Sequence, residues 1–434
     1  MIKEIFKKII IAILTLESKA VLFRFKPKII AITGNVGKTS TKDAIFTALS
    51  NNLKIRKNQK SFNSEIGTPL TILGLENAWN DPFLWIKNIF IGACVPFKNK
   101  YPEWLVLEVG VDRPGDIPRV AKWLKPNVVV ITSLPKIPVH VEYFSSPDAV
   151  IKEKLSLINF LKKDGTLILN ADDPLVFAAK EKFDGNVLTY GSDSTATVSY
   201  SNKNIIYMEN DGVQLPAGIS FKISHSGNSV PMSLPKVLGV QHILPVVASI
   251  AVGISQNVPF LDMVNSFAKF DPPKGRMNLI LGKNNSIVID DTYNAAPLAM
   301  QKAVEVLAEI ETNGNKIAVL GDMLEIGQYS ASEHKKIGEQ VEKSKINLLI
   351  TVGIRARSIA ESAIESGMDQ NSVYHFKDFK DVSTLVLSNL KPSTVVLVKG
   401  SQGIRLEKVV EDLISEDLNK TDLLVRQEKD WKNR

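Results

Sequence analysis

A chain of 434 residues is too long for one hydrophobic core and predicts two or three domains. Its 44% apolar and 23% charged content is that of a soluble globular protein, and a net charge of +7 without a dense basic stretch gives no reason to expect nucleic acid as a partner. The one cysteine, Cys94, excludes an intrachain disulfide and a multi-cysteine metal site, which makes a reducing cytoplasm the default compartment. Cys94 sits among apolar residues, and burial is the expectation for it.

In chain order, residues 1–25 come first. Ile5, Phe6, Ile9, Ile10, Ile13 and Leu14 recur at helical spacing among Lys3, Lys7, Lys8 and Lys19. The apolar run 9–16 is too short to span a bilayer, and no small-residue cleavage site follows a long apolar core. The stretch reads as an amphipathic helix docked on the neighbouring domain. The other reading is an interfacial helix in weak contact with anionic lipid.

The run Ile29-Ile30-Ala31-Ile32 reads as a buried strand, and 41–49 reads as a helix. Between them stands Thr33-Gly34-Asn35-Val36-Gly37-Lys38-Thr39-Ser40. A strand, a glycine turn and a helix N-terminus form a phosphate cradle of backbone N–H groups. Lys38 places a charge on terminal phosphates, and the Thr39 hydroxyl is a Mg²⁺ ligand. The loop is the short form, with Ile32 where the longer pattern has glycine. ATP is the expected ligand, held by Gly34, Asn35, Val36, Gly37, Lys38, Thr39 and Ser40.

Strand-length apolar runs follow at 105–109, 128–132 and 166–170, with helical stretches between them. This is the pattern of a mostly parallel α/β sheet. Short alternating segments over 184–235 predict a small antiparallel appendage, and 237–252 reads as a helix. Asp271-Pro272-Pro273-Lys274-Gly275 is a linker. Beyond it, runs at 286–290, 316–320, 348–352 and 394–398 predict a second, Rossmann-like α/β domain. The expected division is an N-terminal helix, 1–27; a P-loop domain, 28–273; a C-terminal domain, 274–420; and a charged tail, 421–434, that frays.

Ligands of open α/β sheets bind at strand ends, so polar residues there are candidates. Glu108 stands inside an apolar strand, where a carboxylate needs a cation; beside a P-loop, Mg²⁺ is that cation. Asp172 and Asp173 read equally as ligands or as a helix cap. His140 follows the 128–132 strand. By composition Lys154 is one more surface lysine.

Further segments stand in order along the chain. They are Asn63-Ser64-Glu65-Ile66-Gly67-Thr68, Leu107-Glu108-Val109-Gly110, His140, Lys154, Asn170-Ala171-Asp172-Asp173, Gly275-Arg276, Asp290-Asp291-Thr292-Tyr293-Asn294, Leu320-Gly321-Asp322-Met323-Leu324-Glu325 and Lys399-Gly400-Ser401-Gln402-Gly403. With the P-loop they resemble the Mur ligases, the ATP-dependent amide-forming family of peptidoglycan synthesis. The resemblance is strongest to the branch that joins D-alanyl-D-alanine to a UDP-N-acetylmuramoyl tripeptide.

That resemblance implies an enzyme of cell-wall synthesis working through an acyl phosphate, with release of ADP and phosphate. It implies Lys38, Glu108, His140 and Lys154 as catalytic residues. Two Mg²⁺ ions would be held by Thr39, Glu108, His140 and Lys154, the lysine being carbamylated, since an ammonium does not bind a cation. His242, Arg276, Asp291, Tyr293 and Asn294 would meet the nucleotide. Asn63, Ser64, Glu65, Thr68, Asp322, Lys399 and Ser401 would serve the substrates. The partners would be those two small molecules, with no nucleic acid, and the protein a monomer.

The chain departs from the family pattern at His242 and Pro245, in a stretch where the family has asparagines that contact adenine, and at Ala296, where a second asparagine would stand. A separate UDP-gripping domain is not expected in the residues before the first strand. Two rival readings fit the same segments. One is another amide ligase of the superfamily, of the folylpolyglutamate or cyanophycin type. The other is a non-catalytic nucleotide-binding protein on the same fold.

Overall fold

The computed structural model describes residues 2–58, 65–79, 81–428 and 431; side chains of 2–5 and 269 are outside that description. Asn63 and Ser64 therefore lie outside the described residues. Nine strands make the first sheet: β1 (Lys28–Thr33), β2 (Ile55–Lys57), β3 (Trp104–Glu108), β4 (Val128–Ile131), β5 (Thr166–Asn170), β6 (Asn186–Gly191), β7 (Val198–Asn210), β8 (Val213–His225) and β9 (Asn228–Pro235). Their spatial order is β2-β3-β1-β4-β5-β6-β7-β8-β9.

Strands β1 to β6 are parallel, and β1, β3, β4 and β5 are covered on both faces, which is why those four read as continuous apolar runs. Alternate residues serve opposite cores. Ile29 and Ala31 join the core under the N-terminal helix, Ile2–Phe25. Ile30 and Ile32 join the core under the helices Lys38–Leu49 and Val240–Ile254. The antiparallel part, β7 to β9, continues this sheet beyond β6 rather than standing apart from it.

The second sheet contains β10 (Asn278–Gly282), β11 (Ser286–Asp291), β12 (Lys316–Gly321), β13 (Leu348–Val352), β14 (Val373–Phe376) and β15 (Val395–Lys399). Its order is β10-β11-β15-β12-β13-β14, parallel except for β10 at the edge. Residues of both halves share one apolar core, with Val139, Val141 and Leu215 beside Ala295, Met323 and Ile326. Burying side chains of this size stabilises the contact by about 1.5–3 kcal/mol each, which fixes how the second sheet faces the P-loop.

Three details at the chain's margins bear on the expectations. The N-terminal helix is docked: Ile10, Leu14 and Val21 are buried, and Ser18 Oγ donates to the Pro69 carbonyl at 3.4 Å. Cys94 is exposed, contrary to the burial expected of it. It ends the helix Pro82–Cys94, whose apolar side chains themselves largely face outward. The charged tail does not simply fray. Arg426 is buried and its Nη2 donates to the Thr292 carbonyl at 2.6 Å and to Glu407 Oε2 at 2.8 Å. A guanidinium that satisfies a buried carboxylate and a loop carbonyl ties the segment down.

Candidate active site

The register of the first sheet builds the site. Ile32 stands opposite Glu108, and Thr33 opposite Ile131, so β1, β3 and β4 end at one level. Beyond those ends the chain turns at Gly34, with φ of 141°. A Cβ there would lie 2.0 Å from Thr132 Oγ1, so only glycine fits against β4. Thr132 Oγ1 in turn donates to the Val36 carbonyl at 2.7 Å, and Asn35 Oδ1 accepts from Val139 N–H at 3.2 Å.

Lys38 begins the helix Lys38–Leu49 and folds back over the loop. Its Nζ donates to the carbonyl of Gly34 at 2.9 Å. Burial pulls its pKa below the usual lysine value, while the Glu108 carboxylate opposes that shift. Thr39 Oγ1 donates to Glu108 Oε2 at 3.2 Å. Glu108 Oε1 lies 3.2 Å from Lys42 Nζ, and both side chains are fully buried. Lys42 was not singled out in the sequence. It stands one helical turn after Lys38, so the i, i+4 spacing was the signal.

Lys154 is not a surface lysine. It is 1% exposed, at the end of the helix Pro147–Leu155. Its Nζ donates to the Gly34 carbonyl at 3.2 Å, the same oxygen that Lys38 engages. Burial first, and then the Lys38 charge, push its pKa well below the ordinary lysine value. Both effects disfavour the charged form of the group.

His140 adopts a left-handed backbone, φ 67°, before the short turn Val141–Tyr143. Its Nδ1 lies 3.2 Å from Glu325 Oε2 and its Nε2 3.9 Å from Asp112 Oδ1. The His140 hydrogen bond holds the Glu325 carboxyl below its usual range. Asp112 was also missed; it follows Gly110 by two residues, and its charge acts on both Lys38 and Lys154. So Lys38, Thr39, Glu108 and Lys154 meet around the loop, while the direct polar neighbours of His140 are carboxylates.

A cavity of roughly 690 Å³ opens on one side of the loop, within the size range of ligand sites. Gly37, Ser40, Val36, His242, Arg276, Asp291, Tyr293, Asn294 and Lys399 all line it, as do the apolar surfaces of Leu134, Leu175 and Pro245. Arg276 reaches across from the second half. Its Nη2 donates to Thr39 Oγ1 at 3.2 Å, and its guanidinium lies 4.2 Å from the Tyr293 ring centroid. His242 is buried, and its Nε2 lies 2.7 Å from the Arg276 carbonyl. Burial lowers its pKa to about 4, so Nε2 carries the donor hydrogen and the ring orients the Arg276 backbone. Lys399 Nζ pairs with Asp291 Oδ2 at 2.7 Å and donates to the Asn294 carbonyl at 3.0 Å.

A second cavity of roughly 570 Å³ lies on the other side. Glu65, Thr68, Asp112, Arg113, His140 and Glu325 line it, and so do Lys7 and Ile11 of the N-terminal helix. Glu65 is paired with Arg119. Asp322 and Ser401 each brace a strand end through a hydrogen bond. Asp322 Oδ1 accepts from Ala356 N–H at 2.7 Å, and Ser401 Oγ accepts from Leu324 N–H at 2.9 Å. Lys399 lines the larger cavity, apart from Glu65 and Thr68.

The donors suit an anionic ligand. Asn35 Nδ2 and Arg276 Nε are buried with no hydrogen-bond partner, a costly state unless an acceptor arrives. Glu108 and Thr39 offer oxygen to a hard cation. Among the described residues no three His, Cys, Asp or Glu side chains converge as a ready-made metal cage.

Fold and site define a two-part P-loop α/β protein whose second half reaches over the phosphate loop. Residues 32–253 match the Mur ligase middle domain, and 275–402 match the Mur ligase, glutamate ligase domain. The chain belongs to the Mur ligase family. It is 30% identical over 403 residues to the UDP-N-acetylmuramoyl-tripeptide--D-alanyl-D-alanine ligase of Bacillus subtilis, covering 93% of this chain and 79% of that one. Among solved structures, MurF from Acinetobacter baumannii matches with a TM-score of 0.76 at 23% identity, over 93% of this chain and 80% of that one. MurF from Thermotoga maritima in complex with ADP matches with a TM-score of 0.72 at 22% identity, over 93% and 83%.

Proposed function

We propose that this chain is an ATP-dependent amide ligase that joins D-alanyl-D-alanine to a UDP-N-acetylmuramoyl tripeptide, acting as a cytoplasmic monomer. The observation that carries this reading is the convergence of Lys38 and the Lys154 amine on one loop carbonyl, with Thr39 and Glu108 beside them and a cavity on each side. The similarity to the Bacillus subtilis ligase over 93% of the chain supports the choice of substrates.

ATP occupies the larger cavity. Loop N–H groups and Lys38 hold its phosphates, and Arg276 and Asp291 reach it from the second half. Magnesium would be held by Thr39 and Glu108, and at a second position by His140 with a carbamylated Lys154; it supplies neutralisation of phosphate charge. The tripeptide carboxylate enters from the smaller cavity and attacks the γ-phosphorus, giving an acyl phosphate and ADP. Lys38 stays on the transferred phosphoryl oxygens throughout, which is where charge develops. The amine of D-alanyl-D-alanine then attacks the acyl carbon. The amide forms, the carbon–oxygen bond breaks, and phosphate leaves. The contact of Arg276 with Thr39 closes the second half over the loop and keeps water from the acyl phosphate.

The test is phosphate release from ATP and Mg²⁺ with both substrates, omitting each in turn. Release that needs both, with an amide product by mass, is the expected result. ATP binding without release for that pair sinks the substrate assignment, and stimulation by glutamate and a folate would select the folylpolyglutamate type of ligase instead.

A further inference from the structure

Most of the large hydrophobic side chains that this protein leaves exposed are in one place. Among the described residues eleven of seventeen belong to two stretches, 6–23 and 79–97, centred on neighbouring helices, so they form a patch rather than the usual scatter. On the N-terminal helix they are Phe6, Ile9, Leu16 and Phe23, which recur on the side away from buried Ile10, Leu14 and Val21. On the second stretch, Phe83, Phe90 and Phe97 are 80%, 70% and 83% exposed. The two helices lie side by side and close together. A Cβ on Gly92 would sit 2.1 Å from Glu17 Oε2.

Charge names the occupant. Over 6–24 and 79–98, Lys7 apart (it lines the smaller cavity), the exposed cations are Lys8, Lys19, Arg24, Lys87 and Lys98. The acids are two. Glu17 turns Oε2 inward, and Asp81 caps the helix Pro82–Cys94. An apolar face with a cationic border fits the headgroup region of an anionic bilayer. A second copy of this chain would bring the same cations against one another, which disfavours self-association through this face. Among the described residues no helix is long and apolar enough to cross a membrane, so the contact is one of lying on the surface.

We propose that the shelf made by the helices Ile2–Phe25 and Pro82–Cys94 seats this enzyme on an anionic lipid surface. The N-terminal helix then has two duties. Its outer side meets lipid, and its inner side, through Lys7 and Ile11, walls the smaller cavity. Membrane and cavity are separated by about one helix diameter, roughly 10 Å.

Flotation of the full-length protein with vesicles tests this. Vesicles of phosphatidylcholine with phosphatidylglycerol are compared with pure phosphatidylcholine, at low and high salt. The expected result is flotation with the anionic vesicles, at least about tenfold weaker on the zwitterionic ones and weakened by salt. The double variant Ile9→Glu, Phe90→Glu should lose flotation with its thermal midpoint unchanged, since both side chains are exposed. Absence of flotation on anionic vesicles overturns the proposal, as does a variant that floats like the parent. A dimer in light scattering that the variant dissolves, without flotation, assigns the shelf to a second copy and also overturns it. Flotation reads no catalysis, so the ligase reading and this one fail separately.

Discussion

The Nζ of Lys154 and the carbonyl of Gly34 are 3.2 Å apart, although 120 residues separate them in sequence. Lys38 reaches the same carbonyl at 2.9 Å. Two ammonium groups so placed would repel, and burial removes the water that would screen them. Burial and the Lys38 charge together lower the pKa of Lys154, the more strongly shifted of the two.

Lys154→Ala should lower kcat by about 10²–10³-fold, the size of loss seen when one charge-stabilising group is removed. ATP affinity should change little, because Lys38 and the loop remain. Intact-protein mass spectrometry at raised bicarbonate should find one added CO₂ on the parent and none on Lys154→Ala. Equal turnover by parent and variant would remove Lys154 from the machinery.

Glu108 and Lys42 form a fully buried ion pair at 3.2 Å. Glu108→Ala should destabilise the protein, because the buried Lys42 loses its nearer carboxylate and keeps the longer contact to Asp43 at 3.6 Å. The double variant Glu108→Ala, Lys42→Met should recover part of that loss without recovering activity. Denaturant unfolding with and without ATP measures both. Full additivity of the two single changes would show that the pair is not coupled.

Burial raises the Glu17 pKa to about 7 from an ordinary 4.5. The folded protein then holds a proton between those values that the unfolded chain has released. Stability should fall as pH rises from about 4.5 to about 7 and level off above that. Glu17→Gln should flatten this slope. Unfolding midpoints of parent and variant across that pH window are the measurement, and parallel curves would refute the assignment.

Arg426 joins Glu407, itself fully buried, to the Thr292 and Tyr293 carbonyls. Ending the chain before Arg426 should destabilise the second half, by about 3–5 kcal/mol, since Glu407 keeps only Arg405. It should also weaken ATP binding, because Tyr293 packs on Arg276. Calorimetry and nucleotide titration of the shortened chain test both effects. An unchanged melting profile would make the tail dispensable.

The phosphate loop was legible because its chemistry is local. Gly34, Lys38 and Thr39 act within a few residues of one another, between a strand and a helix that each announce themselves by period. Glu108 was legible as an anomaly, a carboxylate inside an apolar strand. Lys154 looked like surface by composition, since its neighbours Lys152 and Glu153 are charged; only a resemblance to the family marked it. Asp112 and Glu325 carry no local signal as partners, because what selects them is the group on another element that they meet, while Lys42 offered only its i, i+4 spacing from Lys38. Cys94 was misjudged for a related reason: apolar neighbours predict burial only when their own face is covered.

By itself the sequence determined the strands, the helices, the phosphate loop and the order of the family's segments, all of which follow from interactions close along the chain. The tertiary structure decided that Lys154 is buried against the phosphate loop, that Arg276 of the second half reaches Thr39 of the first, and that two apolar helices share one uncovered face. Burial and the approach of charges are properties of distance in space. Strand register and packing of the two halves, more than any single segment, set those distances.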